Sequence, residues 1–310
     1  MTGRPQVSVI IPTYNRRDLV RRAIRSVFEQ TDPVDEIIVV DDGSGDGTRE
    51  ALHSEFGDRI QYMWQPNAGV SAARNRGLAQ SQGKYLTLLD SDDEWLPEKT
   101  RLQRNFLEAH PEFGMVLCDV IRMTAEHKDF EVFRRRDFIP HDGWVLPWVL
   151  ANPALAPASA MFRREVLDTV GGFDASLRTA EDIDFHLRVA RHWRIGIVEQ
   201  PLVRAMRDHE GLSALNQTYD DYIRVVERFT QQHRGALTQQ DLDRGLSLAY
   251  SRNARGLVLT GRLREGVKLA GRAWFVARGS REKQAALEIL PLALKRALRT
   301  VLRIRPRTAG

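Results

Sequence analysis

The stretch "YLTLLDSDDEWLPEKT", from Tyr85 to Thr100, determines the fold class that we predict for the first half of the chain. An apolar run typical of a buried strand ends abruptly in a cluster of carboxylates, which are Asp90, Asp92, Asp93 and Glu94. Carboxylates this close repel one another, and the end of a buried strand desolvates them in part. The cluster therefore requires compensating positive charge.

A bound divalent cation is one source of that charge. The Asp90-x-Asp92 pair, fixed at the end of a strand, supplies the oxygen ligands that Mg²⁺ or Mn²⁺ prefers, and phosphate oxygens could complete the coordination. The alternative is a purely structural cluster that caps the helix expected to begin near Pro97. Under that alternative, Asp93 and Glu94 have no chemical role.

Apolar strand segments separated by amphipathic helices extend outward from this stretch in both directions. The predicted strands run from Val7 to Pro12, Glu36 to Asp42, Ile60 to Trp64, Lys84 to Asp90 and Gly114 to Ile121. Such alternation predicts an α/β fold, a three-layer α/β/α arrangement with a mainly parallel central sheet. Ligands of these sheets bind at the carboxyl ends of the strands, so we expect Asp42 and the Asp90–Asp92 pair to line one cleft.

A second group of carboxylates opens a predicted helix in "TAEDIDFHLRVARHW". Glu181, Asp182 and Asp184 precede or flank a buried face that includes Phe185 and Leu187. Acids in a first helical turn stabilise the helix dipole, which would be a sufficient reason for their presence. The functional alternative is a general base that a helix N-terminus holds in the cleft.

Charge and composition divide the chain of 310 residues in two. From Arg244 onward there are 16 Lys and Arg residues against three acids, a net charge of +13 in a protein of net charge +5, so the first 243 residues carry −8. We predict a catalytic domain at residues 1–219 and a helical C-terminal region at residues 220–310. The single cysteine, Cys118, excludes an internal disulfide and fits a cytoplasmic protein, and no membrane-spanning segment is expected.

The last predicted helix, from about Glu282 to Ile304, is both apolar and basic. Leu287, Leu290, Leu294, Leu298 and Val301 recur at helical spacing, and lysines and arginines interleave with them. Residues 282–307 therefore match an interfacial helix attracted to anionic lipid, which would make the protein a peripheral membrane protein. A helix packed on the acidic body or in a dimer is the alternative. No nucleic acid partner is expected, because the sequence contains no recognised binding module.

Six motifs occur in an order and spacing that is much more specific than any one of them. They are "VSVIIPTYNR", "EIIVVDDGSGDGT", "NAGVSAARNRGL", "GKYLTLLDSDDEWLP", "VGGFDASLRTAEDIDFHLRV" and "MRDHEGLS". Over residues 6–215 the chain thereby resembles the inverting family-2 glycosyltransferases, nucleotide-diphospho-sugar transferases that have the GT-A fold.

The resemblance implies a nucleotide site built from several of these motifs. Pro12 and Tyr14 would wall the pocket for the base, and Asp42 would accept a hydrogen bond from the N3–H of uracil. Gly69 and Arg74 match the segment that closes over the nucleotide, and Asp90 matches the residue near the ribose or a metal-bound water.

The resemblance also implies the catalytic and metal residues. Asp92 matches the metal ligand and Asp182 the catalytic base. His209 and Ser213 match a segment that approaches the diphosphate or the metal, although Met206 replaces the tyrosine usual at the start of that segment. A histidine with only a structural role in a loop is the alternative for His209.

These expectations combine into one function. The chain would be a Mn²⁺- or Mg²⁺-dependent inverting glycosyltransferase that moves a sugar from a UDP-sugar to a hydroxyl of a glycan or lipid-linked acceptor. It would act in the biosynthesis of surface polysaccharide or glycolipid at the inner face of the cytoplasmic membrane. The alternative is a non-catalytic sugar-nucleotide-binding or scaffold protein recruited through its basic tail. A nucleotidylyltransferase is disfavoured because its glycine-rich N-terminal signature is missing.

Overall fold

The computed structural model of the chain describes residues 6–124, 126–133, 143–151, 157–206 and 217–304. It comprises two compact units. Unit 1 contains Met1–Val145 and Leu155–Glu210, and unit 2 contains Leu146–Ala154 and Gly211–Gly310. Unit 2 is therefore built from two separate pieces of the sequence.

Unit 1 is an α/β structure with a single large sheet. Its strands are β1 (Val7–Thr13), β2 (Glu36–Asp41), β3 (Gln61–Trp64), β4 (Tyr85–Leu88), β5 (Glu94–Trp95), β6 (Phe113–Met123), β7 (Asp129–Phe133), β8 (Met161–Arg163) and β9 (Arg194–Met206). Its helices are α1 (Arg17–Phe28), α2 (Thr48–Phe56), α3 (Val70–Gln80), α4 (Lys99–Ala109), α6 (Arg164–Val170) and α7 (Glu181–His192). The remaining helices belong to unit 2.

The sheet is mixed, with strands in the order β3-β2-β1-β4-β8-β6-β9-β5 and with β7 paired to β6. Strands β3, β2, β1 and β4 are parallel, as predicted from their apolar runs. Strand β8 pairs antiparallel to β4 and β6, and the short strands β5 and β7, which the sequence did not predict, are antiparallel additions. The predicted α/β fold with C-terminal helices is confirmed.

The strand order places a topological switch at β1. The chain runs from β1 outward to β2 and β3, and then returns to the other side of β1 to form β4. Ligands of α/β sheets bind at the carboxyl ends of the strands beside such a reversal. Here those ends lead into Tyr14 after β1, Asp42 after β2 and Asp90 after β4.

Unit 2 is helical and has a hydrophobic core of its own. Its helices are α5 (Leu146–Ala151), α8 (Gln217–Gln232), α9 (Gln239–Leu259), α10 (Leu263–Val276), α11 (Ser280–Leu287) and α12 (Ile289–Ile304). Its core includes Tyr250, Leu257, Leu269 and Ala273. No helix in the described part of the chain is both long and apolar enough to cross a membrane.

The prediction of a single C-terminal helix from Glu282 to Ile304 is wrong in one respect. The structure divides this segment at Glu288 into two helices, α11 and α12. Pro291 provides the reason, since its nitrogen has no hydrogen to donate to the carbonyl of Leu287. Proline is tolerated in the first turn of a helix, where an amide hydrogen has no partner in any case. A new helix therefore begins at Ile289.

Candidate active site

The carboxyl ends of β1, β2 and β4 lie side by side in unit 1. The amide of Asp42 donates to the carbonyl of Thr13 at 2.9 Å, and the amide of Leu89 donates to the carbonyl of Ile10 at 3.0 Å. These bonds extend the pairing of β1 with both neighbours to the ends of the strands. Tyr14, Asp42 and Asp90 thus follow the carboxyl ends of adjacent strands.

Asp42 is buried, and its carboxylate organises the loop between β3 and α3. Its Oδ1 accepts bonds from the side chain of Gln65 at 2.7 Å and from the amide of Ala68 at 2.9 Å. Its Oδ2 accepts from the amide of Gly69 at 2.8 Å. A carboxylate has about four lone-pair positions, so room for one further donor remains.

Gly69 occupies the position before α3 with a φ of +91°, a conformation that side chains rarely adopt. A Cβ added there would have no atom within 4 Å, so the glycine is required by the backbone conformation and not by crowding. The open space around it leaves the loop backbone accessible to a ligand.

Pro12 and Tyr14 differ in what they offer to a ligand. Pro12 is buried within β1, whereas Tyr14 is 48% exposed and lies just beyond the strand. The next residue, Asn15, anchors this loop to the loop after β2 through its amide, which donates to Ser44 Oγ, and its Oδ1, which accepts from the amide of Gly45. Tyr14 is therefore an exposed ring on a fixed backbone.

Two residues of the acidic cluster are paired with arginines. Asp90 Oδ1 lies 2.7 Å from Arg74 Nη2, and Asp92 Oδ2 lies 2.8 Å from Arg16 Nη1. Arg16 also donates to Ser91 Oγ at 3.5 Å. Arginines thus supply part of the positive charge that the cluster requires.

The other two acids of the cluster hold the loop in place. Asp93 accepts a bond from the amide of Met206 in β9 at 3.0 Å, and Glu94 forms an ion pair with Arg22 of α1. Helix α4 begins after Glu98 with no side-chain hydrogen bond from this N-cap residue. Asp93 and Glu94 thus make contacts with β9 and α1.

The cluster has the chemistry of a hard-cation site. The described residues contain no group of three His, Cys, Asp or Glu side chains arranged to hold a metal. Mg²⁺, however, is typically bound by only one or two carboxylates together with substrate phosphates. The partly exposed side chains of Asp90 and Asp92 supply such a pair, so the donor set fits Mg²⁺ or Mn²⁺.

Arg74 of α3 connects the acidic cluster to the start of α7. Its side chain is only 4% exposed, and its Nη1 lies 2.6 Å from Glu181 Oε1 while Nη2 bonds Asp90. The guanidinium stacks on the ring of Phe173 at 5.2 Å. Both terminal nitrogens are occupied by protein carboxylates, so Arg74 lies behind the cleft surface and touches both acidic groups.

A clamp between α3 and the turn before α7 holds this arrangement. The side-chain amide of Asn75 donates to the carbonyl of Phe173 at 2.8 Å, and the amide of Phe173 donates back to Asn75 Oδ1 at 2.7 Å. A Cβ on Gly172 would lie 2.4 Å from that same oxygen. Asn75 of the "ARN" motif therefore packs closely against Gly172 and Phe173 of the "GGF" motif.

Asp182 lies in the first turn of α7, after Ala180, whose φ of 62° places it in the left-handed region. Its Oδ1 accepts from the amide of Ile183 at 2.8 Å. Burial, followed by the negative charge of Glu181, raises the pKa of Asp182 to about 7, although the charge of Arg74 opposes this. A carboxyl with such a pKa suits a general base near neutral pH.

The predicted residues are thus brought together to different degrees. Direct contacts connect Asp42 with Gly69, and Arg74 with both Asp90 and the residue next to Asp182. His209 and Ser213 lie outside the described residues. Sequence reasoning did not identify Arg16, although it stands directly after Tyr14 and Asn15 in the loop that follows β1.

Comparison with known sequences adds independent findings. A sequence model of "Glycosyl transferase family 2" matches residues 8–171. An uncharacterized glycosyltransferase of Rickettsia prowazekii is 44% identical over 224 residues, which cover 70% of each chain. A putative teichuronic acid biosynthesis glycosyltransferase of Bacillus subtilis, TuaG, is 42% identical over 107 residues, 34% of this chain. The chain spans only 42% of the length of that relative.

The fold also resembles a solved structure. Residues 1–349 of TarS from S. aureus, in complex with UDP-GlcNAc, superpose with a TM-score of 0.70 at 19% sequence identity. The alignment covers 94% of this chain and 89% of that one. At this level of identity the likeness establishes a shared fold.

Proposed function

The chain belongs to glycosyl transferase family 2, and on that premise we propose that it is a metal-dependent, inverting hexosyltransferase that uses a UDP-sugar. One observation carries the proposal. Through Glu181, Arg74 and Asp90, ion pairs join the turn that bears Asp182 to the acidic cluster after β4. A candidate base and a candidate diphosphate site are thus held by one buried network.

The nucleotide would bind at the ends of β1 and β2. Tyr14 offers an exposed ring just after β1, which contains Pro12, and the remaining acceptor position of Asp42 suits the N3–H of uracil. Gly69 leaves its loop open for the ribose and phosphates. The structural similarity to a protein solved with UDP-GlcNAc supports a uridine nucleotide. In this proposal Arg74 acts on the nucleotide through Asp90, beside the ribose.

Asp90 and Asp92 would hold Mg²⁺ or Mn²⁺ against the diphosphate, with His209 as a further candidate ligand. When bound, the cation would offset the negative charge that develops on the leaving nucleotide. Arg16 already lies beside Asp92 and would need to share or release that carboxylate.

Asp182 would accept the proton of an acceptor hydroxyl as that oxygen attacks the anomeric carbon. The new carbon–oxygen bond forms as the bond to the diphosphate breaks, on the opposite face, so the configuration inverts. The N-terminal turn of α7 fixes the position of the Asp182 carboxylate. The pKa of Asp182, about 7, makes this carboxylate basic enough to accept the proton of the acceptor hydroxyl.

The acceptor in this proposal is a hydroxyl of a glycan or lipid-linked molecule in surface polysaccharide or glycolipid biosynthesis. The relative named for teichuronic acid biosynthesis supports this class. In this proposal the enzyme acts at the cytoplasmic face of the membrane.

Calorimetric titration of UDP in the presence of Mn²⁺ and then of EDTA tests the donor site. We expect binding that depends on the metal and that Asp92→Ala abolishes. Asp182→Asn should bind UDP as the wild type does, but lose about 10²–10⁴-fold in the rate of transfer from UDP-GlcNAc or another UDP-sugar. Loss of UDP binding in a folded Asp182→Asn protein would contradict the role assigned to this residue.

The scaffold alternative makes the opposite prediction for turnover. A non-catalytic sugar-nucleotide-binding protein would bind UDP and metal but would neither transfer nor hydrolyse any UDP-sugar. The pKa of Asp182, raised by burial and by Glu181, favours the enzyme.

A further inference from the structure

Unit 2 exposes large apolar side chains on helices whose opposite sides form its core. Phe275 is 84% exposed and Leu294 is 62% exposed, the highest values among the exposed hydrophobic residues described. We define the leucine–aromatic face by six exposed side chains, which are Trp274, Phe275, Leu287, Leu290, Leu294 and Leu298. An exposed apolar patch of this kind usually marks an interaction site.

The six side chains follow one another across three helices. The ammonium group of Lys283 in α11 lies 5.3 Å from the centre of the Trp274 ring in α10. Leu287 comes one helical turn after Lys283. Leu290, Leu294 and Leu298 then recur every four residues along one side of α12.

The internal packing of unit 2 does not use this face. Ala273 on α10 and Ile289 and Ala293 on α12 are buried in the core of the unit. The neighbouring positions Trp274, Leu290 and Leu294 are exposed, so the two helices already bury a different side. The face would therefore be available to a partner without unfolding of the helices.

Basic side chains accompany the face. Arg264 and Lys268 are exposed on α10, and Lys295 and Arg296 are exposed on α12. Glu265 is paired with Arg262, and Glu282 lies 3.5 Å from Arg244. Glu288, exposed between Leu287 and Leu290 in the sequence, accepts a hydrogen bond from the side chain of Gln284 at 3.3 Å. Basic side chains thus outnumber acidic ones around an apolar face.

This charge distribution selects the partner. A symmetric dimer places the same patch of both copies in contact, which would bring the basic side chains together. An anionic bilayer complements both features, because its phosphates attract the lysines and arginines while its acyl boundary accepts the leucines. Tryptophan is also enriched at the level of the lipid headgroups.

We propose that the leucine–aromatic face docks on an anionic lipid bilayer. Trp274 and Phe275 insert from α10, the leucines of α11 and α12 lie at the acyl boundary, and Lys268, Lys283 and Lys295 meet lipid phosphates. The docking surface therefore includes α10 and extends beyond the C-terminal helix that the sequence singled out. The docking itself is independent of the proposed function. Only its purpose, access of the enzyme to a lipid-linked acceptor, rests on that function.

Flotation of the full chain with vesicles tests the proposal. We expect binding to vesicles of phosphatidylcholine with phosphatidylglycerol, little binding to phosphatidylcholine alone, and release by salt. The double variant Trp274→Ser and Phe275→Ser should bind about tenfold more weakly or worse. Lys295→Gln should weaken binding by about fivefold. Because these side chains are exposed, the variants should fold, and circular dichroism and UDP binding check that they do.

Phe130→Ser provides the matched control, because Phe130 is 53% exposed on β7 in unit 1. It should bind vesicles as the wild type does. Absence of vesicle binding, equal binding to neutral vesicles, or unchanged binding by the Trp274 and Phe275 variant would each overturn the proposal. A dimer, seen by light scattering, that this variant dissociates would show that the face joins two copies instead. UDP titration is independent of these results, so failure of docking and failure of the donor site are distinguishable.

Discussion

Asp182 and Glu181 occupy consecutive positions at the start of α7. Since the proposed base, Asp182, must be deprotonated, we expect kcat to rise with pH through a midpoint near 7 and then to level off. The negative charge of Glu181 contributes to the raised pKa of Asp182, so Glu181→Gln should move the midpoint to lower pH. A pH profile of kcat under saturating UDP-sugar measures both. An unchanged midpoint in Glu181→Gln would show that the two residues do not interact.

Arg16 forms an ion pair with Asp92, the carboxylate at which the proposed cation would bind. Removing its charge leaves the acidic pair less compensated, so Arg16→Gln should bind Mn²⁺ without nucleotide about two- to fivefold more tightly, the range expected for a partly exposed ion pair. Calorimetry with Mn²⁺ alone measures this. Arg17→Gln is the control, because Arg17 pairs with Asp18 at the surface and should leave the affinity unchanged. Weaker binding by Arg16→Gln would mean that Arg16 orders the site.

At the scale of elements, the clamp between α3 and the turn before α7 joins two motifs that are almost 100 residues apart. Asn75→Ala removes both bonds to the backbone of Phe173 and leaves partly buried groups unpaired. We expect a loss of about 1–3 kcal/mol in the free energy of unfolding. Chemical denaturation measures it, and Asn75→Asp, which keeps the acceptor but not the donor, should fall between alanine and the wild type. Equal stability of all three proteins would argue against the clamp.

Lys99 places a buried amine where α4 packs on the sheet. Its Nζ donates to Thr87 Oγ1 at 3.0 Å and lies 4.1 Å from the centre of the Trp95 ring. Burial lowers the pKa of Lys99 to about 7. Between about pH 7 and 10 the unfolded chain therefore binds more protons, so this residue makes the free energy of unfolding rise with pH over that window.

Lys99→Met should remove this contribution and raise stability at pH 7, which denaturation at several pH values would show. Exposed Lys84 provides the control, and Lys84→Met should leave the dependence on pH unchanged. A steeper dependence in Lys99→Met would contradict the assignment.

The sequence predicted the elements whose patterns are local. Strands β1, β2 and β4 are fully buried, and their apolar runs were sufficient to locate them. Strand β5 has two residues and β7 is mostly exposed, so neither has such a run, and both depend on pairing with distant strands. The partners of Arg74 and Arg16 likewise come from remote segments, which spacing along the chain does not specify.

At the scale of the whole molecule, unit 2 takes α5 from the middle of the sequence. The boundary we propose at residue 219 would leave α5 in the first part, separated from α9. Leu150 packs against Gly245, where an added Cβ would lie 2.5 Å from Leu150 Cδ2. A protein truncated after residue 219 would expose the buried leucines of α5. We expect it to aggregate in size-exclusion chromatography.

Leu146→Gln and Leu150→Gln in the same truncated protein should reduce that aggregation, because they remove the exposed apolar groups. A truncated protein that stays monomeric without them would show that α5 does not depend on α9.

Because unit 2 is built from two separate pieces of the sequence, the ribosome synthesises those pieces at different times. Helix α5 ends at Ala151, and its partner α9 begins at Gln239, roughly 90 residues later. At about 5–20 residues per second, a ribosome needs about 5–20 s to supply that partner. During this interval the buried leucines of α5 have no packing partner on the nascent chain. Slower translation lengthens the interval, so we expect the yield of folded protein to fall when translation slows.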